Sequence, residues 1–186
     1  FYGLAFGNGM FYAVRGSGGI YSTTDGQSWT TRSTQSWLIG SSSSLSYAND
    51  RLFASNNGTL ASSTDNGATW TQLSTGTPAR FFSKVVYGDG KYVAVPIGAD
   101  TTSEVTHLGT YSTNGTTWQS MSLPAAISWR DVAFGGGLFI AVGYEMIPGA
   151  IVNPRFARST DGVSWTSVRS EEHTSELQSR QYLVCR

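Results

Sequence analysis

A chain of 186 residues is long enough for one domain with a sizeable core, and its charge is low and balanced, with 12 basic against 12 acidic side chains. No net field draws it to nucleic acid or to an anionic membrane, and no apolar run approaches the roughly 20 residues of a membrane-spanning helix. Aromatics at 13 %, together with 22 glycines, combine β-formers with turn-formers and point to an all-β protein.

Taken in order, the chain repeats itself four times. Each repeat opens on an apolar run broken by a tight-turn signal: Leu4 to Val14 around Asn8-Gly9, Leu45 to Ala54 around Asn49-Asp50, Val85 to Val95 around Asp89-Gly90, and Val132 to Val142 around Gly136-Gly137. Gly, Asn and Asp accept positive φ, so each is a hairpin between a first and a second strand. A second signal follows: Asp25-Gly26 before Trp29, Asp65-Asn66-Gly67 before Trp70, Asn114-Gly115 before Trp118, and Asp161-Gly162 before Trp165. It reads as the turn between a third strand and a fourth carrying the Trp. The Trp residues are spaced by 41, 48 and 47. Two hairpins in that period make one four-stranded antiparallel unit, the size of a β-propeller blade. Blades are expected at about 1–30, 31–71, 72–119 and 120–168, as part of a larger ring.

The stretch Ser63 to Trp70 resembles the repeat of the Asp-box (bacterial neuraminidase repeat) β-propellers, whose pattern is Ser-x-Asp-x-Gly-x-Thr-Trp. The other three copies place Asp or Asn directly before Gly, a relaxed variant common in microbial and phage sequences. The resemblance covers residues 1 to about 168. It implies the propeller fold and a family holding sialidases, xyloglucanases and non-enzymatic propellers.

Residues 169–186 break the repeat and resemble the in-frame translation of a short-read sequencing adapter. They are read as a non-native tail, helical or disordered. Setting them aside leaves nine basic and nine acidic residues and removes Cys185 and His173. No disulfide or thiolate metal site is then expected, and no cofactor. The chain opens on Phe1 in mid-strand and is read as a fragment, so its targeting signals are uninformative. An extracellular, cell-surface or virion setting is favoured.

Asp25, Asp65 and Asp161 read either as catalytic carboxylates or as acceptors of turn amides. A catalytic acid is needed once or twice, not once per repeat, so these residues and Asn114 are assigned to the turns, tied by Ser22, Ser63, Ser112 and Ser159. Trp29, Trp70, Trp118 and Trp165 are assigned to packing between blades.

Both hairpin turns of a blade emerge on one face. The link from second to third strand emerges on the other, and it is eight residues longer in repeats three and four, at Pro96 to Thr110 and Gly143 to Ala157. Long loops on a rigid scaffold concentrate binding residues. The candidates there are Asp100, Glu104, His107, Tyr144, Glu145, Arg155 and Arg158, with Arg15 on the short link of repeat one. The inner strand adds Arg130 and Asp131, with Lys84 at the matching place in repeat three; all three could line the central channel, or Arg130 and Asp131 could satisfy each other or a neighbouring blade.

A non-catalytic module for a protein or glycan ligand is the favoured function. A fragment of a sialidase-like or other glycoside hydrolase is the alternative, and a virion or cell-surface spacer a third reading. Glycosidases need two carboxyls at a defined separation, and outside the tail the only Glu residues are Glu104 and Glu145. No catalytic motif surrounds Arg15, Arg130 and Arg155. Four blades with uncovered faces are expected to aggregate or unfold readily when expressed alone as residues 1–168.

Overall fold

The computed structural model describes residues 1–40, 44–56, 58–77, 81–97, 106–147 and 150–168, and its regular elements there are all strands. Asp100, Glu104 and the tail at 169–186 lie outside the described residues. The first sheet is β1 (Gly3–Gly7), β2 (Met10–Val14), β3 (Ser17–Thr23) and β4 (Thr30–Ile39), and the second is β5 (Ser44–Ala48), β6 (Arg51–Asn56), β7 (Thr59–Ser63) and β8 (Thr71–Leu73). Next come β9 (Phe81–Gly88), β10 (Lys91–Ile97), β11 (Thr106–Ser112), β12 (Gln119–Gly135), β13 (Leu138–Ile147), β14 (Ala150–Ser159) and β15 (Thr166–Val168). These seven form one sheet in which β12 serves two blades. Gln119 to Ser122 pair with β11, whereas Ser128 to Gly135 pair with β13.

Every ladder is antiparallel between sequence neighbours. The first hairpin of each blade is a two-residue turn with positive φ at both positions: Asn8 and Gly9, Asn49 and Asp50, Asp89 and Gly90, Gly136 and Gly137. That geometry matches the right-handed twist of the flanking strands. The four inner strands β1, β5, β9 and β12 lie side by side in that order.

Two expectations need correction. The Trp of the second turn does not lie on the fourth strand: β4 starts at Thr30 and β8 at Thr71. Trp70, Trp118 and Trp165 turn out of the sheet towards the preceding blade, the ladder begins one residue after the Trp, and the first blade runs on to Ile39, past residue 30. Gly143 to Ala157 is not a loop either. β13 and β14 stay paired through Gly143↔Arg155 and Glu145↔Val152 to Ile147↔Ala150. The segment is rich in β-formers, Tyr144, Ile147, Ile151 and Val152 among them, and the insertion is an extended hairpin.

The core is three apolar clusters, one at each junction between blades. Tyr12, Ile20 and Leu38 meet Leu45 and Leu52; Phe53 and Leu60 meet Phe82, Tyr92 and Trp118; Val93, Met121 and Leu123 meet Val132, Phe139 and Trp165. Blades two and three therefore bury both sheet faces against their neighbours, and blades one and four one face each. Trp70 packs edge-on against Trp37 of the first blade at 6.0 Å, and Trp118 against Phe53 of the second at 5.8 Å. Trp165 donates its indole N–H to Met121 Sδ of the third at 3.3 Å. Trp29 belongs to the first blade and is 41 % exposed.

The inner strands add a seat and a ring. A Cβ on Gly7 would fall 2.0 Å from the Tyr47 ring, and one on Gly88 would fall 2.1 Å from the Phe134 ring. The aromatic of the following blade needs the space that glycine leaves. At Gly135, the same position in the fourth blade, nothing lies within 4 Å.

Two measurements check this packing. In urea, Gly88→Ala is expected to cost about 1–3 kcal/mol through overpacking, while Gly135→Ala stays within about 0.5 kcal/mol of the parent. Trp165→Ala is expected to cost about 3–5 kcal/mol, and Trp29→Ala less than about 1 kcal/mol, because only the former empties a filled interface.

Candidate functional site

The repeated second turn has one internal architecture. In blade one the Thr23 hydroxyl donates to Asp25 Oδ1 at 2.8 Å and accepts the Gly26 N–H at 3.0 Å, while the N–H groups of Gln27 and Ser28 donate to the same carboxylate oxygen. Ser112 and Asn114, then Ser159 and Asp161, repeat the arrangement with Thr116, Thr117, Val163 and Ser164 as donors. The hydroxyl always stands two residues before the carboxyl or amide. In blade one that residue is Thr23, not Ser22 as the sequence suggested; Ser22 is buried in β3 opposite Tyr12. The turn in blade two is one residue longer and puts Asn66 at φ 60° ahead of Gly67; there Asp65 accepts both the N–H and the hydroxyl of Thr69.

These bonds fix the charge state of the aspartates. Donation by Ser28 N–H, then Gln27 N–H and the Thr23 hydroxyl, lowers Asp25 to about 2. The Thr69 hydroxyl and N–H lower Asp65 to about 2. At Asp161 burial acts upward, but the Ser164 and Val163 amides with the Ser159 hydroxyl outweigh it and the net shift is down. A carboxylate held this way serves as a fixed acceptor and is a poor proton donor near neutral pH.

The turns also fasten blades together on this face, through contacts the sequence reading missed. Asn66 Oδ1 accepts from the Asn8 side-chain amide at 3.2 Å and the Tyr12 hydroxyl at 2.9 Å, and Asn66 O accepts from Arg32 Nε at 3.1 Å. Asn49 Nδ2 donates to the Tyr92 hydroxyl at 2.9 Å across the next junction. The available signal was the extra residue in the second turn, which sends Asn66 towards blade one.

The opposite face carries the extended β13–β14 hairpin of blade four, whereas the described β10–β11 pairing of blade three ends at Ala94↔Thr110. A break in the β12–β13 register between Trp129 and Asp131 leaves Arg130 outside the regular ladder. Its guanidinium donates to the Tyr144 hydroxyl and lies 4.7 Å from the centroid of that ring. Asp131 does not pair with Arg130. It takes Lys84 of the third blade's inner strand at 2.8 Å, closing an ion pair between blades. Further along the hairpin, Arg155 donates to Glu145 at 2.6 Å, with both side chains nearly half exposed.

Arg130, Tyr144, Glu145 and Arg155 are therefore brought together by β12, β13 and β14. His107 is exposed, at a register shift in the β11–β12 ladder. Arg158 lies opposite Ile140 on the outer-facing side of blade four. Arg15 sits at the far end of the array, in a cleft of about 720 Å³ lined by Phe1, Tyr2, Leu4, Tyr21 and Trp29. The structure does not join Arg15 to Arg130 and Arg155. Among the described residues no group of His, Cys, Asp and Glu is placed to hold a metal ion.

The pH dependence follows from the turns. A lowered aspartate contributes stability above its unfolded value of 3.8 and loses it as pH falls towards about 2. Urea midpoints measured between pH 5 and pH 2 should fall, and a double Asp25→Asn, Asp161→Asn variant should fall less. Asn keeps the amide acceptor, as Asn114 does, without the titration.

Comparison with known proteins agrees with this geometry. Among solved structures, "YCF48 bound to D1 peptide" superposes with a TM-score of 0.57 at 17 % identity, covering 89 % of this chain and 52 % of that one. The structure of YjhT gives 0.61 at 10 % identity over 92 % and 65 %. An ancestral GH74 enzyme gives 0.59 at 14 % identity over 89 % and 30 %. The chain thus spans less than two thirds of the length of each of these structures. No curated protein matches the sequence. The DUF6242 beta propeller domain matches residues 3–123, most of the four-blade array, and the chain belongs to that β-propeller family.

Proposed function

We propose that this propeller is a non-catalytic binding module for a protein or glycan ligand, with the contact face on the side that bears the β10–β11 link of blade three and the extended β13–β14 hairpin of blade four. The observation that carries the reading is the pairing of its charges. Glu145 is matched to Arg155 and Asp131 to Lys84, and both pairs are partly exposed. Partly exposed ion pairs exchange partners at little cost, and Tyr144 adds an aromatic surface with a hydroxyl. The turn aspartates on the other face are held as anions. The structure of YCF48, a propeller of similar fold, holds a bound peptide, which supports a protein segment ahead of a glycan.

The glycoside hydrolase reading has the fold likeness to a GH74 enzyme in its favour. A retaining or inverting pair needs one carboxyl able to deliver a proton beside a second. The described carboxyls of this face are each occupied by a cation.

Binding to peptide and glycan panels, run beside hydrolysis of a fluorogenic sialoside and a β-glucan, tests the proposal. Binding without turnover is expected. Arg155→Glu, which sets like charges at Glu145, is expected to weaken capture at least about tenfold and to leave the melting temperature nearly unchanged. Turnover of either substrate would overturn the non-catalytic reading.

A further inference from the structure

Asparagine followed by glycine occurs at Asn8-Gly9, Asn57-Gly58, Asn66-Gly67 and Asn114-Gly115. Such a step is chemically labile, because no Cβ hinders the glycine nitrogen on its way to the side-chain amide carbon. Asn57 lies outside the described residues. The other three steps share their sequence but not their surroundings.

In two of them the attacking nitrogen is engaged. Gly67 donates its N–H to Ser63 Oγ at 2.9 Å and Gly115 to Ser112 Oγ at 2.8 Å, and both glycines are buried. Their asparagines are held as well. Asn114 Oδ1 accepts from the N–H groups of Thr116 and Thr117, and Asn66 Oδ1 accepts from the Tyr12 hydroxyl. The step at Asn8-Gly9 differs. It is the first hairpin turn of blade one, closed by the pair Gly7↔Met10, and the Gly9 N–H makes no hydrogen bond to a described residue. Asn8 and Gly9 are both exposed, and a Cβ on Gly9 would meet nothing within 4 Å. That exposure belongs to the turn and not to the place of blade one in the array. Asn49, Asp50, Asp89 and Gly90, in blades flanked on both sides, are exposed in the same way.

We infer that Asn8 is a site at which the folded chain is modified by its own backbone and water, and that the fold protects Asn66 and Asn114. The Gly9 nitrogen bonds to Asn8 Cγ, the Cγ–Nδ2 bond breaks, and ammonia leaves with the proton of the Gly9 N–H. Water then opens the cyclic imide at one carbonyl or the other, giving aspartate or isoaspartate without an oxidant or a reductant. The two products differ in consequence. Aspartate keeps the hairpin, since Asp89-Gly90 makes the same turn in blade three with positive φ at both residues. Isoaspartate adds a methylene to the backbone and disturbs the register of Phe6↔Phe11 and Gly7↔Met10. In both products the amide donor is gone, and with it the bond from Asn8 Nδ2 to Asn66 Oδ1 at 3.2 Å. The reaction therefore removes one of the contacts that fasten blade one to blade two.

Peptide mapping by mass spectrometry, on the folded 186-residue chain held in mildly alkaline buffer, tests the inference. Trypsin cuts after Arg15, Arg51, Arg80, Lys91 and Arg130 and so places the three steps in different peptides, and fragmentation separates Asn66 from Asn57. Asn8 is expected to lose its amide at least about tenfold faster than Asn66 or Asn114, the factor set by one buried hydrogen bond that must open first. In urea the three rates are expected to converge. Ser112→Ala removes the acceptor of the Gly115 N–H and is expected to raise the Asn114 rate about tenfold while the Asn8 rate stays as in the parent. Equal rates in the folded chain overturn the inference, as does a faster reaction at Asn66 or Asn114. So does an order that persists in urea, or an Asn114 rate indifferent to Ser112→Ala.

Discussion

Everything in this protein depends on a sheet having two apolar faces and only one chain to cover them. A single blade is four short strands with buried-type side chains on both sides, so it has no interior of its own. The interior forms only where one blade meets the next. That is why the three core clusters coincide with the three junctions, and why the inner strands give up a side chain at Gly7 and Gly88 to admit a ring. The stability of the array is a sum over neighbouring pairs, and the outermost faces are its unsatisfied terms.

The second turn is subordinate to that arrangement. A hydroxyl, a carboxyl or amide, and a glycine close a loop of hydrogen-bonded polar groups, and in blades two to four the closed loop points a tryptophan at the preceding blade. Asn114 does the work of Asp25 and Asp161 with the same amide donors, so the charge is incidental to the geometry. In blade two one added residue turns the loop into a clasp on blade one, through Asn66.

The propeller was legible because its signals are local. Two tight turns at fixed offsets, recurring with the tryptophans, specify hairpins without knowledge of tertiary contacts. The details that failed are those in which a neighbour decides. Ser22 and Thr23 are adjacent hydroxyls, and only the strand register shows which one faces the turn. Trp29 carries the same motif as Trp165, yet its environment depends on a blade that does not precede it in the array. The insertion at Gly143 to Ala157 was read as a loop because the link there is eight residues longer than in the first two repeats, whereas continued pairing across the hairpin kept it in the sheet. The ion pair of Lys84 with Asp131 joins two blades, and sequence spacing alone left several partners open for each.

The last strand of blade one ends at Ile39 and that of blade two at Leu73, but β12 runs unbroken from Gln119 to Gly135. Its first part is the outer strand of one blade and its second part the inner strand of the next. Pulling either blade away from the other would strain a single continuous strand as well as separate an apolar junction. Blades three and four thus share one strand, where the first two junctions are held by packing and by hydrogen bonds such as Tyr12 to Asn66 and Asn49 to Tyr92. The shared strand ties the position of the extended β13–β14 hairpin to the outer strand of blade three.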